Sequence, residues 1–464
     1  MGERSTGGLA AAAVAAAVTL VWNGHGLGET PRAAAADPRS GVTAVRGAGS
    51  CSATACHGGV RPTAGKVLRD EYTVWATRDR HSDAFRVLTE ERSRAIAARL
   101  SGGRMSADKD PRCLACHAPT VPLPPPASRA FLLSDGVGCE SCHGPSDRWI
   151  VDHTRRDWPG QGPETEARFG MVETVDLVRR ARVCVGCHVG EPARGGLPAR
   201  DVDHDLIAAG HPRLTFEFSA YLANTTHHWR DDVGRDNSAD FGARSWAVGQ
   251  LVTAKAALDL LIDRTRRAEP AGGALAGAPW PEFTEYACFS CHHDLRDEEW
   301  RRPAGDDLRR LGRNRWGTWH FPLIKTLAIA DPSPEAQTVV AELAALRVLM
   351  AAGHPEPAAV ARQAKLVSEP LGRWLDRPSV REFNAARLAA LYSQVASLPD
   401  RGAVRSWDEA TQRYLALVPL SQALRLLGAG PDRTKELTQL RDRLNYRNGY
   451  DSPKPFDPSK PPAP

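Results

Sequence analysis

The chain has 464 residues, 42% of them hydrophobic and 25% charged, with a formal net charge of +5. That length accommodates two domains and a substantial apolar core. So slight a basic excess gives no support to a nucleic-acid-binding role.

In chain order the first element is the apolar run Leu9 to Val21, behind a segment carrying Arg4 and ahead of Ala33 to Ala36 and Asp37. It has the form of a secretory signal with an A-x-A type cleavage site, so residues 1–36 are expected to be a signal peptide. A retained anchor is the alternative, but the run is shorter than the ~20 residues that span a bilayer. No later segment is expected to cross a membrane.

All ten cysteines then fall into five pairs, each followed at once by a histidine. The first pair is wide: Cys51 and Cys56 ahead of His57. The other four have C-x-x-C-H spacing: Cys113, Cys116 and His117; Cys139, Cys142 and His143; Cys184, Cys187 and His188; Cys288, Cys291 and His292. Zinc ribbons, redox dithiols and disulfides also use paired cysteines, but none requires a histidine after every second one. Covalent haem c attachment does: two thiols must reach the two vinyl groups of one porphyrin, and the next imidazole must meet the iron from one face. Five haem c groups are therefore expected, with a local disulfide as the alternative at the wide pair. Ten propionates and five ferric irons would bring the net charge from +5 to about 0.

The motifs supply proximal ligands His57, His117, His143, His188 and His292. Beyond residues 1–36 the only methionines are Met105, Met171 and Met350, so histidine is expected on the distal side as well. Low potentials suited to respiratory chemistry follow from such ligation. His81 lies in a helical-looking stretch from Trp75 to Leu88. His153 follows the third motif. His204 and His211 stand seven residues apart, about two turns along one face if helical. Of the adjacent His227 and His228 one should face inward, and His228 is favoured because Trp229 suggests a packed face. His293 directly follows His292 and could reach a neighbouring iron. The distal candidates are therefore His81, His153, His204, His211, His228 and His293, with hydrogen bonding to propionate or backbone as their alternative role. His320 is expected to pack, and His354 to sit solvated at a helix end.

Residues 37–330 are poor in regular apolar periods, as expected of a cytochrome core in which cofactors replace side chains. One long helix is the exception, from Ser245 to Arg267, with Val248, Leu251, Val252, Leu258, Leu261 and Ile262 on one face. Residues 331–451 turn to alanine and leucine. Val339 to Met350 mark a first helix there, and Phe383, Leu388, Leu391, Tyr392 and Val395 a second. A third opens with a Ser406/Glu409 capping box and is expected to break or kink near Pro419. Another follows Thr434. Residues 452–464 are Pro-rich and expected to be a disordered tail. The fold class expected is mainly α: a multihaem cytochrome c core with little regular sheet, followed by a helical C-terminal domain.

With these residues in view, the order of motifs resembles the tetrahaem cytochrome c family of ammonia oxidation, the electron acceptor of hydroxylamine oxidoreductase. The most specific likeness is Gly136 to Pro145 around the third motif, supported by His81, the second motif, Asp152-His153 and the fourth motif, over residues 48–190. The resemblance implies a closely packed haem array, one open iron position, and His81 and His153 as distal ligands. The wide first motif, the His204 to Trp229 stretch, the fifth haem and the helical domain depart from the family.

The function expected is that of a periplasmic pentahaem cytochrome, soluble or peripheral to a membrane, passing single electrons between redox protein partners. The alternative is an oxidoreductase of a small nitrogen or sulfur compound with one open haem iron. The C-x-x-C-K motif of the usual nitrite reductase does not occur.

Overall fold

A computed structural model describes residues 44–65, 67–119, 130–160, 162–194, 196–230, 238–269, 278–288, 291–292, 314–397 and 407–444. The expected leader, His293, Ser406 and the Pro-rich end lie outside these residues. Eight short helices come first: α1 (Glu71–Arg78), α2 (Glu91–Ser101), α3 (Pro111–His117), α4 (Cys139–His143), α5 (Pro163–Phe169), α6 (Leu177–His188), α7 (His204–Ala208) and α8 (Phe218–Asn224). Mostly longer ones follow: α9 (Phe241–Ala268), α10 (Ile324–Ala330), α11 (Pro334–Met350), α12 (Pro357–Leu375), α13 (Ala385–Ala396), α14 (Trp407–Leu426) and α15 (Thr434–Arg443). Among the described residues there is no strand, only isolated bridges such as Glu191 with Arg200. The chain is mainly α.

Side-chain caps start many of these helices by accepting hydrogen bonds from the first free N–H groups. Asp110 accepts from Arg112, Asp176 from Arg179, and Asp203 from Leu206. Glu217 caps α8, and Ser333 and Glu356, each followed by a proline at the first helical position, cap α11 and α12.

Packing differs along the chain. One apolar core runs from Leu177 to Leu444, with residues on both sides of Asp331 in it. Its axis is α9, which packs against α6, α8, α12 and α14. Buried residues lie all round α9 rather than on one face, Ala247, Val248, Leu251, Val252, Leu258 and Leu261 among them. Gly249 allows the closest approach, since a Cβ there would come within 2.6 Å of Phe218 Cβ. Contrary to expectation, α9 is long and apolar enough to cross a membrane, but most of it is buried in the protein. Among the described residues of the stretch 44–176, by contrast, the apolar clusters are small ones around Leu88 and Ile96.

Four other expectations are corrected. The Trp75 to Leu88 stretch is helical only to Arg78, then runs through turns around His81 to a 3-10 turn at Arg86–Thr89. The sequence reading missed α12, whose Pro357 and Pro370 disguised its period. Instead of breaking, α14 runs through Pro419, which is buried. Finally, α7 ends at Ala208 and Gly210 takes a φ of 116°. His204 and His211 therefore do not share a helix face.

Candidate haem-binding sites

In α3, α4 and α6 the last turn is the motif itself, so the first cysteine, the second at i+3 and the histidine at i+4 fall on one helix face. The fifth motif closes the same turn, with His292 N donating to Cys288 O at 2.8 Å. In the first motif the two added residues form a turn, in which Cys56 N donates to Ala53 O at 2.8 Å. None of the ten cysteines is in a disulfide. Among the described residues no three His, Cys, Asp or Glu side chains converge as a closed zinc site would need.

Each motif histidine faces a second histidine from elsewhere in the chain. The ring centres are 6.2 Å apart for His57 with His153, 6.4 Å for His117 with His211 and 6.3 Å for His143 with His228. They are 6.2 Å apart for His188 with His81 and 6.3 Å for His292 with His204. With each nitrogen about 2 Å from the metal, two imidazoles on opposite sides of one iron have ring centres about 6.3 Å apart. The residues therefore fit the group at all five motifs. Ring planes are near parallel in the first and fifth pairs, at 11° and 29°, and near perpendicular in the second, third and fourth, at 85°, 75° and 78°.

Hydrogen bonds at the other ring nitrogen fix which nitrogen is free. Nδ1 of His117 donates to Ala84 O at 2.8 Å, that of His153 to Trp149 O at 3.2 Å, and that of His211 to Pro212 O at 2.8 Å. Nδ1 of His57 and of His81 each lies 2.9 Å from a carboxylate, Glu71 and Asp79 respectively. A proton on Nδ1 leaves the Nε2 lone pair for a metal. His227 does the reverse, its Nε2 bonding to Leu222 O at 3.1 Å. Burial pushes His143 and His188 down to about 4, and it also lowers His117, His211 and His228. These rings are neutral near pH 7, the form that binds iron. The carboxylate hydrogen bonds raise His57 and His81.

Residues 51–144, which hold the first three motifs and His81, match the family described as cytochrome c554 and c-prime. That match, over about a fifth of the chain, supports a c-type cytochrome. Covalently bound haem c and a role in electron transfer go with that assignment. The match ends just after the third motif, short of the 48–190 likeness read from the motifs. No curated protein and no solved structure matches the chain.

Two side chains missed by the sequence reading tie the motifs together. Glu140, inside the third motif and buried, accepts from Arg46 N at 3.0 Å, Gly47 N at 2.7 Å and Ser146 N at 2.6 Å. It thus holds the chain leading into the first motif. Arg200 donates to Ala115 O in the second motif at 2.8 Å and pairs at 3.1 Å with Glu191, just beyond the fourth. Thiols of different motifs meet accordingly, Cys51 with Cys139 and Cys116 with Cys187. The third and fourth motifs touch through α4 and α6. Glu140 was visible in the motif but carried no periodic or capping signal, and Arg200 lay among many arginines. The fifth site is reached through α7, where His204 N donates to Glu282 at 2.9 Å and the His204 ring meets Phe283. His320 packs beside Phe321 and His354 is exposed.

Proposed function

We propose that the protein is an exported pentahaem c-type cytochrome that carries electrons, each iron held between a motif histidine and one of His153, His211, His228, His81 and His204. One observation carries the reading: five histidine pairs, one per motif, share the ring separation that a single iron between them requires. When bound, haem c supplies a one-electron couple in a region that the polypeptide leaves poor in apolar core. The residues would hold the rings on both sides of each iron, and burial keeps those of His117, His143, His188, His211 and His228 neutral. The thiol contacts and the shared α7 segment support a site order of first, third, fourth, second and fifth. Cys56 at one end and Cys291 and His292 at the other are exposed, which suits exchange with redox protein partners. The apolar N-terminal run and the attachment of haem c outside the cytoplasmic membrane support a periplasmic location.

The oxidoreductase reading needs an iron with an open face, and no motif histidine here is without a facing ring. Electron paramagnetic resonance of the oxidised protein tests this. Five low-spin signals are expected, two rhombic from the near-parallel pairs and three highly anisotropic from the near-perpendicular ones. Perpendicular ligand planes leave two iron d orbitals nearly equal in energy, which widens the spread of g values. Carbon monoxide should leave the reduced spectrum unchanged. A high-spin signal with carbon monoxide binding would instead make the enzyme reading the better one. A pyridine haemochrome assay should count five haems per chain, and four would remove the wide motif.

A further inference from the structure

Although α1 has only eight residues, its two ends serve two different iron sites. Glu71, in its first turn, accepts from Leu68 N at 2.8 Å through one oxygen and holds His57 Nδ1 at 2.9 Å through the other. Asp79, at its C-terminal cap, takes both the backbone N–H of His81 at 3.0 Å and its ring Nδ1 at 2.9 Å. Both carboxylates are locked by backbone contacts, so each faces one imidazole in a fixed orientation. Ring nitrogens elsewhere have weaker partners: backbone carbonyls at His117, His153 and His211. At the third site both His143 Nδ1 and His228 Nδ1 are buried with no hydrogen-bond partner.

A carboxylate accepting the Nδ1 proton gives the ring imidazolate character and makes it a stronger donor to the metal. Stronger donation favours the ferric charge state and lowers the reduction potential, whereas burial without an acceptor favours the less charged ferrous state. We propose that Glu71 and Asp79 are potential-setting residues that hold the first and fourth sites below the third, so that an electron shared among these three sites rests at the His143 and His228 site. This rests on the ligand pairing above. It adds a function for α1: the helix makes the two neighbours of the third site the less favoured places for an electron.

The test is a potentiometric titration of full-length holoprotein, followed by electron paramagnetic resonance, with the variants Glu71→Gln, Glu71→Asp and Asp79→Asn. One reduction step should move upward in Glu71→Gln, a different one in Asp79→Asn, and Glu71→Asp should return the first toward its original position. All five low-spin signals should persist, because the ligands themselves are untouched. Low-spin signals that persist with no step moving would overturn the proposal while leaving the pairing intact. A high-spin signal in the unmutated protein would instead break the pairing. The unmutated protein gives a second measurement that does not depend on the variants folding. At least one of its two rhombic signals should outlast the first highly anisotropic signal on reduction, because the first pair is rhombic and the third is not, and both rhombic signals vanishing before any highly anisotropic one would overturn the proposal.

Discussion

A histidine ring can serve an iron only through a nitrogen that nothing else has taken, and this separates His227 from its neighbour. Nε2 of His227 bonds to Leu222 O, while the ring of His228 stands opposite His143. On the proposed pairing, His228→Ala should turn one low-spin haem high-spin and open it to carbon monoxide, and His227→Ala should leave the spectrum unchanged. The sequence pointed to histidine rather than methionine as the distal candidate, because methionine is nearly absent. It did not make the pairing legible, because partners are set by chain path: His81 follows the first motif but faces the histidine of the fourth. At Glu217 burial outweighs the hydrogen bonds from Ser219 and Ala220. Buried as the cap of α8, it is pushed up to about 7 from 4.5. Between those values the folded state holds a proton that the unfolded state has released, so the residue's contribution is full below about 4.5, falls as pH rises and is gone above about 7. Relative to wild type, Glu217→Gln should gain up to about 3 kcal/mol of stability between pH 4.5 and 7 in denaturant titrations. A constant difference across that range would refute the shift.

At the scale of elements, the second half of the molecule depends on α9. Leu258 is fully buried in it, and Leu258→Ala should cost about 2–5 kcal/mol, the transfer of the side chain plus the cavity left behind. Leu366 on α12 is 52% exposed, and Leu366→Ala should stay within about 0.5 kcal/mol of wild type. Equal effects on the unfolding midpoint would contradict the packing described. Helices α11, α13 and α15 were readable because an apolar stripe repeats at the helical period. The full burial of α9 was not, because a stripe on one face is what a half-buried helix would show too. Helix α7 escaped for a different reason: its five residues are too few for a period, and only the turn at Gly210 decides that His204 and His211 part. Arg213, two residues later, pairs with Asp408 of α14 at 2.8 and 3.0 Å. The helical half thereby anchors the segment that carries two candidate ligands.

For the molecule as a whole, the order of sites matters more than their number. The sequence gives the motifs in chain order, but Glu140 joins the first to the third and Arg200 the second to the fourth. In the proposed order the third site lies between the first and the rest, whereas the fifth is terminal. Removing an end leaves a connected row, and removing the third leaves the first stranded. Cys288→Ser with Cys291→Ser should therefore give a protein with one haem fewer in which an electron injected by pulse radiolysis still equilibrates rapidly over the remaining sites. Cys139→Ser with Cys142→Ser also removes one haem, but equilibration with the first site should slow by orders of magnitude, because transfer rates fall steeply with the gap to be crossed. Haem content by mass spectrometry distinguishes this from general loss of cofactor. If the two variants equilibrate alike, the first site has another neighbour and the order fails, even if all five ligand pairs stand.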